Sequence, residues 1–571
     1  MWEIEGIAAS AGIAIGQVMH IQECVHDFSR TVAPGEAPRE KERFLSAQQV
    51  ADTELDELQE RTAITVGKDQ AEVFGAHKLM VQDPSLVDAV FEEIENNCAS
   101  AEGAVEVAVE AIATMFASLD DEYMRERAAD IKDIGKRLLR ILQGNVETVN
   151  YEGILVASDL LPSDTAAIDF DRVSGFITAL GGKTSHSSIL ARAAGLSAVV
   201  GVGCVIDKLC DGDMVIVDGH IGKVLVNPDE NLLVEYRQRL QEEKAKTASL
   251  AQVGHLPGIT LDGHSIEVAA NIGTPGDMKK VLAVGADGVG LFRTEFLFLD
   301  KTSVPTEEEQ FQSYRTVLMA APYKKIVIRT LDAGGDKQLP FFGGLPEANP
   351  ALGLRAIRLC MVYKDVFKTQ LRALLRAGLE GNLYIMFPMI ATLDELLAAK
   401  VLLKEVADEL ANEKIPYRSD VPVGIMIEVP SAAIIADILA EEVDFFSIGT
   451  NDLVQYTMAA DRMNEHVASL SDYFQPPVIR LIANVTKAAQ KSGKWVGMCG
   501  EMAGDPLATP LLVGLGLTEL SMSARSVPVV RNLVRQLTVE QAKEWAEQIL
   551  TLRTTADIKK KLEKIAEKFT I

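Results

Sequence analysis

IEVAA (266–270), GVGLF (288–292), IVI (326–328), LYIMF (383–387), VGIMI (423–427), FFSI (445–448), WVGM (495–498) and ELSM (519–522) are eight short apolar runs. Segments of helix composition separate each run from the next. Eight βα units in about 260 residues match the size and count of a (β/α)8 barrel spanning 261–571. Polar residues stand just after the runs: Asn271, Arg293, Arg329, Glu428, Asn451 with Asp452, and Cys499. In such a barrel the catalytic groups come from the C-terminal strand ends, so these positions are the candidates.

The text changes character upstream of the barrel. Residues 6–21 are Gly-rich and apolar, consistent with a strand-turn-strand start. From about 36 to 144 helix formers recur at helical spacing, with Asp-Pro and Gly as punctuation, which predicts a helical bundle. Residues 151–227 then switch to ILVAS, GFITAL, AVVGVG, MVIVDG and KVLVNP, an α/β pattern with Asp-Gly and Asn-Pro turns. The helical block, 22–144, therefore reads as an insertion into an α/β domain made of 1–21 and 145–228. The charged stretch 229–260 reads as a helical linker, or as one more surface helix of a domain. The fold class is α/β multidomain.

Composition narrows the function. With 56 Lys and Arg against 82 Asp and Glu, the 571-residue chain has a net charge of −26, which would repel nucleic-acid phosphates. Its six Cys form no CxxC pair, so neither a zinc ribbon nor a disulfide framework is expected. The start MWEIE lacks the basic and apolar regions of a leader, and no 18-residue apolar span follows. The expectation is a soluble cytoplasmic protein without membrane insertion.

Four local patterns carry chemistry. GGKTSHSS (181–188) runs into ILARA: the Gly pair permits a tight turn, and Thr184 or Ser185 can cap the helix that follows. His186 then stands where backbone N–H groups and the helix dipole favour an anion, either as a nucleophile or as a polar capping residue. Arg293 and Arg329 end consecutive strands; they suit a substrate with phosphate and carboxylate, or pair locally with Glu295 and Asp332. Glu428 and Asp452, each after apolar residues, suit a hard divalent cation such as Mg2+, or salt bridges to those arginines. Cys499, between Met498 and Gly500, is either a buried small hydrophobe or an acid or nucleophile at the mouth.

GGKTSHSSILAR, GVGLFRTEFLF, IRTLDAGGDK, NPALGLRAIR, IMFPMI, EVPSAA, DFFSIGTNDLVQY and GMCGEMAGD occur together and in order. In this the chain resembles the phosphoenolpyruvate-protein phosphotransferases (enzyme I of the bacterial sugar phosphotransferase system, PTS) within the PEP-utilising enzymes. The resemblance covers essentially the whole chain, including DDEYMRERAADIKDIGKRLL (120–139) in the helical block. Pyruvate phosphate dikinase and phosphoenolpyruvate synthase share the histidine loop and barrel, but carry an ATP-binding domain for which this chain has no room. The nitrogen-branch version has an N-terminal sensory domain, and none is expected ahead of Glu5.

The resemblance implies that His186 is phosphorylated on Nε2 by phosphoenolpyruvate and passes the group to a histidine of the carrier HPr, which docks on the helical block. It implies that Arg293, Arg329, Asn451, Asp452 and Arg462 bind substrate, that Glu428 and Asp452 hold Mg2+, and that Cys499 protonates the enolate to pyruvate. Thr165 would orient the histidine, and Arg355, Arg358 and Lys337 are further site candidates. Met463 stands where the family often has Gly, which affects the pose of Arg462. A homodimer through the barrel is also implied. Because one histidine must serve two partners, the chemistry calls for a swivel near 145 and 229–255. A lyase-type barrel enzyme would have no use for the His186 loop or the helical block. A non-catalytic paralogue would be expected to lack one of His186, Glu428, Asp452 or Cys499, and all four are present.

Overall fold

The structure is a computed structural model. It describes residues 1–21, 31–33, 35–65, 68–117, 122–144, 151–160, 168, 172–182, 185–299, 301, 303–334, 340–342, 347, 349–461, 464 and 466–569. The chain divides into two compact units, Met1–Ala245 and Lys246–Ile571. Among the described residues no helix is long and apolar enough to cross a membrane.

The first unit is built on an eight-stranded sheet. Its strands are β1 (Trp2–Glu5), β2 (Ile7–Ser10), β3 (Ile13–His20), β4 (Gly153–Ala157), β5 (Val173–Thr178), β6 (Ser197–Val200), β7 (Met214–Asp218) and β8 (Lys223–Val226). They lie in the order β1-β8-β7-β3-β4-β5-β6-β2. β3 and β4 are parallel neighbours, with Val18 opposite Ile154, although more than a hundred residues separate them in sequence. Among the described residues that connection holds five helices: α1 (Ala37–Thr65), α2 (Lys68–Val81), α3 (Pro84–Asn96), α4 (Ala101–Ala117) and α5 (Glu122–Leu142). They bury a core of their own, including Phe44, Leu55, Phe74, Val90, Ile94, Ile131 and Leu138. The Asp-Pro punctuation acts as expected: Asp83 caps α3 by accepting from Ser85 N, and Pro84 takes the first helical position, where it has no intrahelical bond to lose.

Helix α6 (His186–Ala194) follows the Gly-rich turn, and α7 (Glu230–Val253) covers most of the stretch read as a linker. The early turns of α7 bury Leu233 and Tyr236 against Ile13, Ile216 and Leu225. Asp218 receives both Tyr236 Oη and Arg239 Nη2 at 3.3 Å. The division between the two units falls within α7, after Ala245.

The second unit is a closed, all-parallel barrel of β9 (Glu267–Ile272), β10 (Gly288–Arg293), β11 (Lys325–Arg329), β12 (Leu383–Phe387), β13 (Val423–Ile427), β14 (Phe445–Ile448), β15 (Trp495–Met498) and β16 (Glu519–Met522). Helices between and after the strands include α8 (Glu307–Ala320), α9 (Lys364–Ala377) and α10 (Thr450–Met458). Side chains alternate along each strand. Ile326, Ile328, Ile425, Ile427, Phe446 and Ile448 join the large core under the helices, whereas Val327, Met386, Met426, Phe445 and Cys499 form a separate cluster with Leu291, Tyr384 and Trp495 inside the barrel. By the same alternation Arg329 follows Val327 inward, and Glu428 follows Met426.

β10 breaks this rule in a useful way. Val289 faces Ile326 and Phe292 faces Ile328, so β10 spends one more residue than β11 over the same span. Against β9 the extra residue lies between Val289 and Leu291, which makes Gly290 the bulge. Without it Arg293 would share the outward parity of Val289; with it Arg293 sits opposite Arg329. The bulge has no room for a side chain, since a Cβ on Gly290 would lie 2.5 Å from Ser521 Cβ and 2.6 Å from Glu519 Oε1. Gly290→Val is therefore expected to destabilise the barrel by about 1–3 kcal/mol through overpacking, read as a lower midpoint of the barrel transition in calorimetry.

Candidate functional site

The C-terminal mouth of the barrel gathers a layer of buried charge. Arg329 donates through Nη2 to Glu295 Oε1 at 2.8 Å, and its Nη1 lies 2.8 Å from Asp332 Oδ2. Arg355 Nη2 reaches Asp332 Oδ1 at 3.1 Å and Asp452 Oδ2 at 3.4 Å, while its Nη1 donates to Tyr456 Oη at 3.0 Å. Glu428 accepts from Met389 N at 2.6 Å. Relative exposure is 0% for Glu295, 1% for Glu428, 3% for Asp332 and 5% for each arginine, so little water screens the layer.

The electrostatics follow from that dryness. Burial works against the charge on Arg329 and Arg355, but the carboxylates outweigh it and hold both guanidiniums protonated, with Asp332 the largest contributor. Glu428 is pushed well above the usual carboxylate range by burial first, then by Asp332 and Asp452, against the pull of the two arginines. Glu295, Asp332, Glu428 and Asp452 crowd round the arginines here, and the repulsion of Glu428 by Asp332 and Asp452 is one that a divalent cation would relieve. Asp332, Glu428 and Asp452 can each bring one ligand oxygen within 4.8 Å of the others, a spacing that fits a single hard cation with oxygen ligands. Asp332 already places one oxygen on each arginine, which ties the carboxylate trio to the guanidiniums.

Cys499 lies just past β15, 3% exposed, with Sγ 3.8 Å from Ile448 O. Burial pushes its thiol up to about 11, with Ser447 and Arg329 pulling the other way, so it is a neutral S–H at pH 7. Asn271 anchors this position, donating to Cys499 O at 3.0 Å and accepting from Ser521 Oγ at 2.6 Å. Asn451 exchanges hydrogen bonds with Glu501, giving through Nδ2 at 3.3 Å and accepting the Glu501 N–H at 3.1 Å. That pair joins the first turn of α10 to the segment after Cys499.

Arg293 ends β10 beside Arg329 and lies close enough to Cys499 to act on its thiol electrostatically. Arg358 instead faces Glu395 at 3.7 Å and is not part of the buried layer. Lys337, Arg462, Met463 and Thr165 lie outside the described residues. Sequence reading named Asp332 only as a pairing partner and missed Ser447 and Tyr456. Asp332 carried a signal, since it stands three residues past Arg329, just beyond the end of the same strand; buried Ser and Tyr carried none.

In the first unit, the Gly-rich turn leads into α6. Gly181 takes φ +105°, a left-handed conformation that glycine adopts without strain. Ser185 is the N-cap, accepting from Ser188 N, and both Ser185 Oγ and Ser188 Oγ donate to Gly182 O, at 2.9 and 2.6 Å. His186 is thus the first residue of a nine-residue helix, at its positive end. Its side chain, with Lys183 and Thr184, is outside what the structure describes.

A parallel barrel with paired guanidiniums, a carboxylate trio and a neutral thiol at its mouth, joined to a histidine at a capped helix start, defines a PEP-utilising enzyme. Residues 5–127 match the family "PEP-utilising enzyme, N-terminal", 149–222 "PEP-utilising enzyme, mobile domain" and 247–539 "PEP-utilising enzyme, PEP-binding domain". The curated phosphoenolpyruvate-protein phosphotransferases of Bacillus sp. (strain S) and Geobacillus stearothermophilus are each 48% identical over 97% of this chain and 96% of their own length. That of Bacillus subtilis (strain 168) is 47% identical over 98% of both. The chain belongs to the phosphoenolpyruvate-protein phosphotransferase family.

The thiols offer a direct check on the site. Cys204 and Cys210 are exposed, whereas Cys499 is buried and its thiolate is disfavoured. Iodoacetamide at pH 7.5 should label Cys204 and Cys210 well before Cys499, with mass mapping of the peptides as the readout. Labelling of Cys499 at a comparable rate would contradict the neutral, enclosed thiol.

Proposed function

We propose that the protein transfers the phosphoryl group of phosphoenolpyruvate to its own His186 and then to a histidine of the phosphocarrier HPr, releasing pyruvate. This is the first step of PTS sugar uptake. The observation that carries the reading is the mouth of the barrel: two buried arginines among four carboxylates, beside a neutral thiol.

In this reading Arg293 and Arg329 take the phosphate of phosphoenolpyruvate, with Asn451, Asp452 and Arg462 also on the substrate. Thr165, Lys337 and Arg355 contribute around them. Glu428 and Asp452 would hold Mg2+, which when bound offsets the negative charge of the substrate phosphate. The His186 imidazole attacks phosphorus through Nε2, forming the P–N bond as the bond to the enol oxygen breaks. Placement at the start of α6 favours the phosphorylated state, because the first-turn N–H groups and dipole stabilise an anion. Cys499 Sγ gives its proton to the enolate carbon, yielding pyruvate, and solvent reprotonates the thiolate. A neutral thiol is the form this step requires, and burial keeps it neutral. Helices α1 to α5 dock HPr, the barrel mediates a homodimer, and the protein works in the cytoplasm.

Labelling with 32P-phosphoenolpyruvate tests the whole reading. The protein should acquire a base-stable, acid-labile label that passes to added HPr, and His186→Ala should acquire none. An acid-stable label, or undiminished labelling of the variant, would overturn it. Glu428→Gln and Asp452→Asn should each lower the Mg2+-dependent labelling rate about 100-fold or more, at least the cost seen for losing a supporting group around a metal. Activity that persists in excess EDTA would rule the metal site out.

A further inference from the structure

Behind the charged layer a polar network ties two barrel helices to the segments that follow the arginines at the ends of β10 and β11. Gln370, on α9, is 1% exposed. Its Oε1 accepts from Leu331 N at 2.8 Å, and its Nε2 donates to Thr294 Oγ1 and to Tyr314 Oη, both at 3.1 Å. Thr294 Oγ1 donates onward to Arg329 O at 2.8 Å. Tyr314 Oη donates to Gln310 Oε1 at 3.1 Å, and Gln310 Nε2 closes the chain on Pro305 O at 3.0 Å.

The network has one orientation. Leu331 offers only an N–H, so the Gln370 oxygen must face it and the NH2 group must face the two hydroxyls. Each hydroxyl then accepts from Gln370 and passes its own proton to the next acceptor. A buried carboxamide is costly where an apolar side chain of similar volume would fill the space, and it is tolerated only when fully bonded, as here. Its targets are telling. Thr294 stands between Arg293 and Glu295, and Leu331 between Arg329 and Asp332. One neutral side chain therefore ties together, through the Thr294 hydroxyl and the Leu331 N–H, both segments that supply the guanidiniums and their carboxylate partners.

We propose that Gln370 is a positioning residue for phosphoenolpyruvate binding, which sets the relative placement of Arg293 and Arg329 through Thr294 and Leu331. The proposal rests on the reading of function above. It does not touch substrate, so its effect appears as a loss of fit between two guanidinium forks and one phosphate.

The test is steady-state and half-reaction kinetics on the full chain. Gln370→Met removes the three bonds that Gln370 makes, to Leu331, Thr294 and Tyr314, at similar volume. It should raise the KM for phosphoenolpyruvate about 10-fold or more, in the range typical of supporting groups around a site, while phosphoryl return from phospho-HPr to His186 keeps its rate. A merely structural role would reduce the folded fraction and the maximal rate, not KM. Thr294→Val, which removes the hydroxyl that accepts from Gln370 and donates to Arg329 O, should raise KM in the same direction, and Thr294→Ser should restore it. If Gln370→Met does not fold, the Thr294 pair decides the question alone. An unchanged KM in the folded variants, or a Thr294→Ser no better than Thr294→Val, overturns the inference. Failure of the unmodified protein to take label from phosphoenolpyruvate overturns the reading of function, and this proposal with it.

Discussion

Side-chain alternation in a closed barrel is the constraint from which the site follows. Each strand sends every second residue inward, so the barrel fills in layers and the last inward position of each strand lands at the mouth. The floor is made by Lys325 between Glu267 and Glu519, at 2.6 and 3.3 Å, under an ammonium-on-indole contact with Trp495, itself stacked on Phe445 at 4.4 Å. Leu291, Val327, Met386 and Met426 fill the middle. Arg329, Glu428 and Cys499 come next because they stand two residues beyond inward neighbours, and the Gly290 bulge brings Arg293 into the same layer.

A layer of buried charge at that level is unfavourable by itself. Desolvation weighs against each guanidinium and each carboxylate, and it is repaid only where opposite charges meet at hydrogen-bond distance. Asp332 does most of this, holding Arg329 and Arg355 together, while Glu295 fixes the other face of Arg329. The same dryness raises Glu428 and Cys499 above their ordinary ranges, for the shared reason that an anion without water is costly. A phosphate arriving here would meet rigid, preorganised partners that need little reorganisation.

The first unit solves a different problem. The Ser185 cap with Gly181 in the left-handed region builds a helix start where backbone donors remain available, which is the local anion site that the proposed phosphorylation of His186 would need. The helical insertion between the neighbouring strands β3 and β4 carries its own core, so it is held by its own packing and leaves the sheet uninterrupted.

Much of this was legible in one dimension, because the signals are local. Apolar runs of strand length, helix periodicity and the Asp-Pro and Ser caps are short-range consequences of backbone geometry, so the eight barrel strands, the inserted helical bundle and the start of α6 could be read directly. The positions of Arg293, Arg329, Glu428, Asp452 and Cys499 at strand ends were legible for the same reason. What tertiary structure alone decided is who meets whom. Asp332 extends its local pair with Arg329 to Arg355, Gln370 closes a bond network with Thr294 and Leu331, and Ser447 sits by Cys499, and each of these long-range contacts joins residues more than twenty positions apart. The bulge at Gly290 is the clearest case. Counting residues along β10 places Arg293 on the outer face, and only pairing with β9 and β11 reveals the extra residue that turns it inward, because register belongs to the sheet and not to the strand.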